Sequence, residues 1–281
     1  METGSQRVAG QATQPARDLC RIRGASAGAL IGAVGGLVGL GGAEFRLPVL
    51  VGVFGLPTLD AVVLNKAMSL TVVMAALVFR TKSIPITQLA VHWDVAANLL
   101  AGSLLGAWWG AGHAIKMPRV WLDRIIMTLL VLLSLLIVCD AIIGVHGARA
   151  AILGAGATRV AVGVIAGFAI GIVAALLGVA GGELLIPTIV LLYGPDVKIA
   201  GSLSLAISLP TMIVGFARYS RSSAFAVLRR ESCLLRWMAV GSVVGAALGG
   251  LLVGLLPTQW LMGLLGLILL VSAIKIFQHA R

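Results

Sequence analysis

Long apolar stretches separated by short polar ones run along nearly the whole chain. The candidates are 25–40, 47–56, 59–79, 94–115, 120–144, 157–178, 185–194, 198–217, 235–256 and 258–278. A helix that crosses a bilayer needs about 20 consecutive apolar residues. Two stretches, 47–56 and 185–194, are too short to cross alone. Each follows a glycine cluster and begins near a proline. The pattern predicts an all-α polytopic membrane protein in which two of the apolar segments are broken.

The pattern also repeats. A shift of 139 residues lays Gly39, Gly42, Glu44 and Pro48 on Gly178, Gly181, Glu183 and Pro187. The register continues without a gap through Gly55 and Gly194, Ala61 and Ala200, Ala67 and Ala206, and Ser69 and Ser208. Over 28–70 against 167–209, 16 of 43 positions are identical. Biased composition alone would give roughly a tenth. The chain is therefore read as two homologous halves. Each has one Gly-rich broken or re-entrant segment and three transmembrane helices, about 8 membrane segments in all. The predicted boundaries are a cytoplasmic tail at 1–24, a first membrane repeat at 25–144, a linker at 145–156 and a second membrane repeat at 157–281. The run after Arg23 could pass for a signal-peptide core. Without a convincing small-residue cleavage site it is read as the first membrane segment.

Composition removes the soluble alternatives. Hydrophobic residues make up 59% and charged residues 11% of 281, against about 25% charged in soluble domains. Disorder needs low hydrophobicity and is excluded as well. The net charge of +11 would suggest nucleic acid in a soluble protein. Here the basic residues fall in loops, where they hold topology, and no soluble domain carries a basic run. Cys20, Cys139 and Cys233 are odd in number and share no metal-ligand spacing, so buried thiols are expected. No histidine pair has ligand spacing either. No metal, cofactor or nucleic-acid partner is expected, and no nucleophile motif points to an enzyme.

Loop charges fix orientation but leave one choice open. If the broken segments re-enter, the halves are inverted; if they cross fully, the halves are parallel. The loop Lys/Arg split is 14 inside and 5 outside in the first case, and 15 and 4 in the second. Both put the two termini in the cytoplasm. Residues 25–38 give about 21 Å of helix, short of a core of about 30 Å. That shortfall leans toward re-entrant segments and inverted halves.

The candidate chemistry gathers at the breaks. Gly41, Gly42, Gly181 and Gly182 let the backbone turn and approach a ligand closely. Pro48 and Pro187 are expected at the starts of the following helices. The N–H groups of such helix starts favour an anion. Irregular backbone at membrane depth is tolerated only where it lines a cavity or is buried in protein. For Gly28, Gly32 and Gly35 the better reading is tight helix packing. The break lacks Gly-Lys-Ser/Thr and sits in no strand–helix unit, so it is not a nucleotide loop.

Charges inside membrane segments cost about 2.5–3.5 kcal/mol each on insertion scales. Glu44 and Glu183 occupy equivalent positions, whereas Arg46 and Lys66 face Leu185 and Leu205 in the repeat. The site is expected to be asymmetric, with both cations from the first half. Arg46 offers a planar fork for an oxoanion, and Lys66 a point charge beside Asn65. The alternative for Arg46 is a structural pair with a glutamate. For Lys66 it is snorkelling. Asn65, Ser69, Ser204 and Ser208 stand early in the span after each break and would complete a hydrogen-bond shell; interhelical bonding is their alternative. Ser202 and Thr71 are close by. Trp108, Trp109 and Trp121 fit an aromatic belt.

The doubled Gly-rich break, with its acidic residue, a proline four on and a Ser-bearing helix, resembles the TauE/SafE sulfite exporter family. The resembling stretches are Gly32–Leu70 and Gly171–Leu209. Arg46 and Lys66 depart from the commonest family pattern, and so does Ser202-Leu203-Ser204 where a Thr-Ser pair is frequent. The resemblance implies a permease of the bacterial inner membrane that handles sulfur-containing anions such as sulfite or sulfonates. The expectation is a secondary transporter of a small sulfur-containing oxoanion, embedded in the bilayer. An oligomer is compatible with the sequence but not indicated by it. The rival is a cation- or proton-handling permease or channel that uses Glu44 and Glu183.

Overall fold

The computed structural model describes residues 14–38, 42–80, 91–143, 156–195 and 197–251. Gly41, the segment 258–278 and most of the linker lie outside these residues. Among the described residues the only regular structure is helical. The helices are α1 (Gln14–Val38), α2 (Ala43–Gly52), α3 (Thr58–Arg80), α4 (Trp93–Lys116), α5 (Arg119–Ile143), α6 (Ala157–Leu177), α7 (Gly182–Tyr193), α8 (Val197–Tyr219), a short 3-10 turn at Ser223–Ala226, α9 (Val227–Arg230) and α10 (Ser232–Leu251). On length and composition, Thr58–Leu77, Ala157–Leu177 and Ile199–Tyr219 can cross a membrane. The pair Ser223–Arg230 and Ser232–Leu248, bent by 73°, makes a fourth if it counts as one span.

The two short apolar stretches are helices of their own, and they begin earlier than the sequence suggested. Helix α2 starts at Ala43 and α7 at Gly182, each just after a glycine with left-handed backbone: Gly42 at φ 70° and Gly181 at φ 79°. A residue with a Cβ resists that conformation, so the glycine ends the old direction and starts the new one. The prolines therefore fall inside the helices, not at their starts. Pro48 and Pro187 have no N–H to give the carbonyls of Glu44 and Glu183, four residues back. Helix α6 ends on Gly178 at φ 68°, with Val179 N–H donating back to Ala174 O at 3.1 Å. That six-to-one bond closes the helix in Schellman fashion.

The halves are stitched to each other by their first and third long helices. In the first seam α1 packs on α10, and in the second α6 packs on α4. A Cβ on Gly28 would lie 2.3 Å from the Met238 carbonyl oxygen, and one on Gly167 would lie 2.3 Å from that of Leu99. A Cβ on Gly32 would likewise press on the Ser242 carbonyl oxygen, and one on Gly171 on that of Ser103. Each pair maps on the other by the 139-residue shift, so the internal repeat is a twofold relation in space. Small residues let the helix backbones touch, as membrane helices favour. This places Gly28 and Gly32 in helix packing, as their spacing suggested.

Helix directions follow from the same contacts. Leu99 pairs with Gly167 and Ser103 with Gly171, so α4 and α6 run the same way. Ser103 bonds Thr211, and Ala107 touches Gly215, so α4 and α8 also run the same way. Val62 meets Gly178 while Lys66 meets Ala174, so α3 runs against α6. Hence α3 and α8, equivalent in the repeat, run in opposite directions, and the two halves are inverted. Helix α7 doubles back along α6: Gly181 lies against Ala174 and Ile170, and the Tyr193 hydroxyl reaches Gly163.

Candidate functional site

The two breaks meet at the seam. Ala43, Glu44, Phe45, Arg46, Leu47 and Pro48 are all buried, and Glu44 is 1% exposed. In the second break Gly182 and Glu183 are partly exposed. The carboxyl of Glu44 lies against that of Glu183. No hydrogen bond of good geometry reaches either carboxyl oxygen of Glu44. Both glutamates stand in the first turn of a short helix, where the peptide dipole favours negative charge. The positive helix ends that the sequence offered to a substrate are thus already faced by the protein's own carboxyls.

The cations sit deeper in the first half. Arg46 is fully buried, within electrostatic reach of Glu44, and its Nη1 donates to Ser69 Oγ at 3.3 Å. Lys66 is fully buried too, and its Nζ donates to Ala174 O at 3.1 Å. It does not snorkel. Gly215 of α8 makes room for the lysine, since a Cβ there would come within 2.8 Å of Lys66 Cε. The sequence alone did not single out Gly215. Neither did it single out Tyr219, buried in the last turn of α8, whose hydroxyl donates to Ala175 O at 3.1 Å.

Asn65 braces both breaks. Its Nδ2 donates to Ala43 O at 3.0 Å and to Leu177 O at 3.1 Å. Both amide hydrogens are therefore committed to backbone, and the side chain keeps only an acceptor. In the second half Ser208 Oγ donates to Ala180 O at 2.7 Å and holds that break. Ser204 Oγ donates to Gly201 O at 2.9 Å within its own helix and lies beside Gly182. Thr71 bonds Ala67 O on an exposed face, away from the breaks. The structure so gathers Glu44, Glu183, Gly42, Gly181 and Gly182 where the breaks meet. Arg46 and Ser69 form a pair beside them, and Asn65, Lys66 and Ser208 link the surrounding backbone. Among the described residues no group of three His, Cys, Asp or Glu side chains could hold a metal.

An inverted duplication, two short helices that follow glycine breaks, and buried charges at their meeting point define the architecture of a membrane transporter. A family model described as Sulfite exporter TauE/SafE matches residues 4–137 and again 145–281. The chain belongs to that family. Its members are transporters of sulfur anions, not enzymes, and the chain is a multi-pass membrane protein. No curated protein and no solved structure matches it.

Proposed function

We propose that the protein is a secondary transporter that moves a small sulfur-containing oxoanion, such as sulfite or an organosulfonate, by alternating access. The observation that carries this reading is Arg46, wholly buried beside the meeting point of the breaks. A guanidinium can hold an oxoanion through paired N–H bonds. Ser69, on its Nη1, is placed to share the anion. Lys66 adds a second positive charge on α3. Asn65 and Ser208 keep the breaks open and aligned.

The inverted fold supports eight membrane segments, with α1–α2 and α6–α7 as re-entrant pairs that enter and leave on one side. With the positive-inside rule, both termini and the Arg-rich loop 218–236 then face the cytoplasm of a bacterial inner membrane. Asp60 and Arg230, bonded at 2.7 Å, lie together on that side.

The test is flux of radiolabelled sulfite and of an alkylsulfonate into proteoliposomes. Arg46→Gln should lower it by about tenfold or more, the loss of one charge-assisted contact of about 1.5–3 kcal/mol. No flux of any sulfur oxoanion in the parent protein overturns the substrate class.

The facing Glu44 and Glu183 favour a second reading, in which the pair carries a proton or another cation. Arg46→Glu separates the two: it abolishes anion flux under the first and leaves a cation pathway under the second. Flux with and without a pH gradient shows whether the carboxyl pair couples proton movement to the anion.

A further inference from the structure

Two guanidiniums converge on one indole two turns before the end of α4. Arg218 lies 4.7 Å and Arg221 5.5 Å from the centre of the Trp108 ring. Neither arginine has an ion pair among the described residues, and the buried Nε of Arg218 has no hydrogen-bond partner. Of the other basic side chains of this region, Arg230 is paired with Asp60 and Glu231, and Arg119 with Asp123. Stacking on an indole orients a guanidinium and leaves its edge N–H groups free to bind. Two such cations side by side repel unless an anion sits between them.

The surroundings say what kind of anion. Trp108 is 41% exposed, and Leu105 one turn earlier is 65% exposed. With Ala101 they form an outward stripe on α4, beside exposed Ile213 and Ala217 of α8. An apolar stripe that ends at a pair of arginines matches a lipid: acyl chains along the stripe, a phosphate at the head. We propose that Trp108, Arg218 and Arg221 form a binding site for the phosphate of an anionic phospholipid in the cytoplasmic leaflet. The site is separate from the helix breaks and uses none of the residues assigned to the transported anion.

The test is native mass spectrometry of the purified protein, titrated with phosphatidylglycerol, with phosphatidylcholine of the same chains, and with inorganic phosphate. The parent protein should retain phosphatidylglycerol in preference. Arg218→Gln with Arg221→Gln should reduce that preference by about fivefold per arginine lost. Trp108→Leu should weaken it as well, by removing the platform. If the double variant does not fold, Arg221→Gln alone, at an exposed position, gives the smaller loss. Equal retention of the two lipids, or a preference untouched by these variants, overturns the proposal. Displacement of the lipid by millimolar inorganic phosphate overturns it in favour of a soluble anion.

Discussion

The side-chain amide of Asn65 donates at 3.1 Å to the carbonyl of Leu177, a residue of the other half. Through its second hydrogen it also holds Ala43 O, so one amide spans the end of α6 and the start of α2. Asn65→Leu removes both bonds and strands the Leu177 carbonyl at the end of α6, which costs about 1–3 kcal/mol. A clear drop in thermal midpoint in detergent is expected, together with loss of flux. Asn65→Ser, the residue of the equivalent position 204, should lose less. An unchanged midpoint for the leucine variant would remove the brace from the account.

Lys66 offers a cleaner separation of stability from transport. A buried charge contributes little to stability and is often replaced by an apolar side chain at no loss. Lys66→Met should therefore leave the thermal midpoint unchanged or higher. Anion flux should fall by about tenfold, the equivalent of 1.4 kcal/mol. Normal flux in a stable Lys66→Met protein would make the lysine purely structural.

The seams predict a contrast between glycines. Gly28→Ala and Gly167→Ala force the helix backbones apart, because the new Cβ would press on a carbonyl oxygen. Overpacking of this kind costs about 1–3 kcal/mol. Gly52→Ala, with nothing within 4 Å of its Cβ, should be neutral or slightly stabilising. Thermal unfolding of the three variants in one detergent checks the order.

Cys20, two turns into α1, and Cys233, in the first turn of α10, have their thiols against each other across the first seam. Burial, with the neighbouring Cys233 thiol, pushes the Cys20 thiol up to about 11. Below that pH it stays protonated, and the thiolate is the reactive form. Oxidation with a copper catalyst should link residues 20 and 233, slowly at neutral pH and faster as the pH rises. Peptide mapping of the oxidised protein shows the link. Its absence at every pH would contradict the packing of α1 on α10.

Inverted halves also fix two loops. Single cysteines at positions 86 and 148, in a background without native cysteines, should both react with an impermeant maleimide added outside the cell. With both termini inside, protection of both positions would require parallel halves.

The sequence alone determined that the chain is helical, membrane-bound and duplicated. Hydrophobic segments of fixed length and a 139-residue period in glycine, glutamate and proline are local or periodic features, and no fold is needed to read them. It also singled out Glu44, Arg46 and Lys66, because a charge in an apolar segment is costly wherever it ends up. It could not choose between inverted and parallel halves, since loop charges balance equally well in both. Contacts between distant residues decided that: Ser103 with Thr211, Lys66 with Ala174. Tertiary structure alone also turned Asn65 from a candidate donor into a brace, because its hydrogens go to carbonyls 22 and 112 residues away in the chain. The stretch 81–90, equivalent to the Arg-rich turn before α10, lies outside the described residues. Periodicity records what each segment needs to bury, while partners come only from the packing of segments against one another.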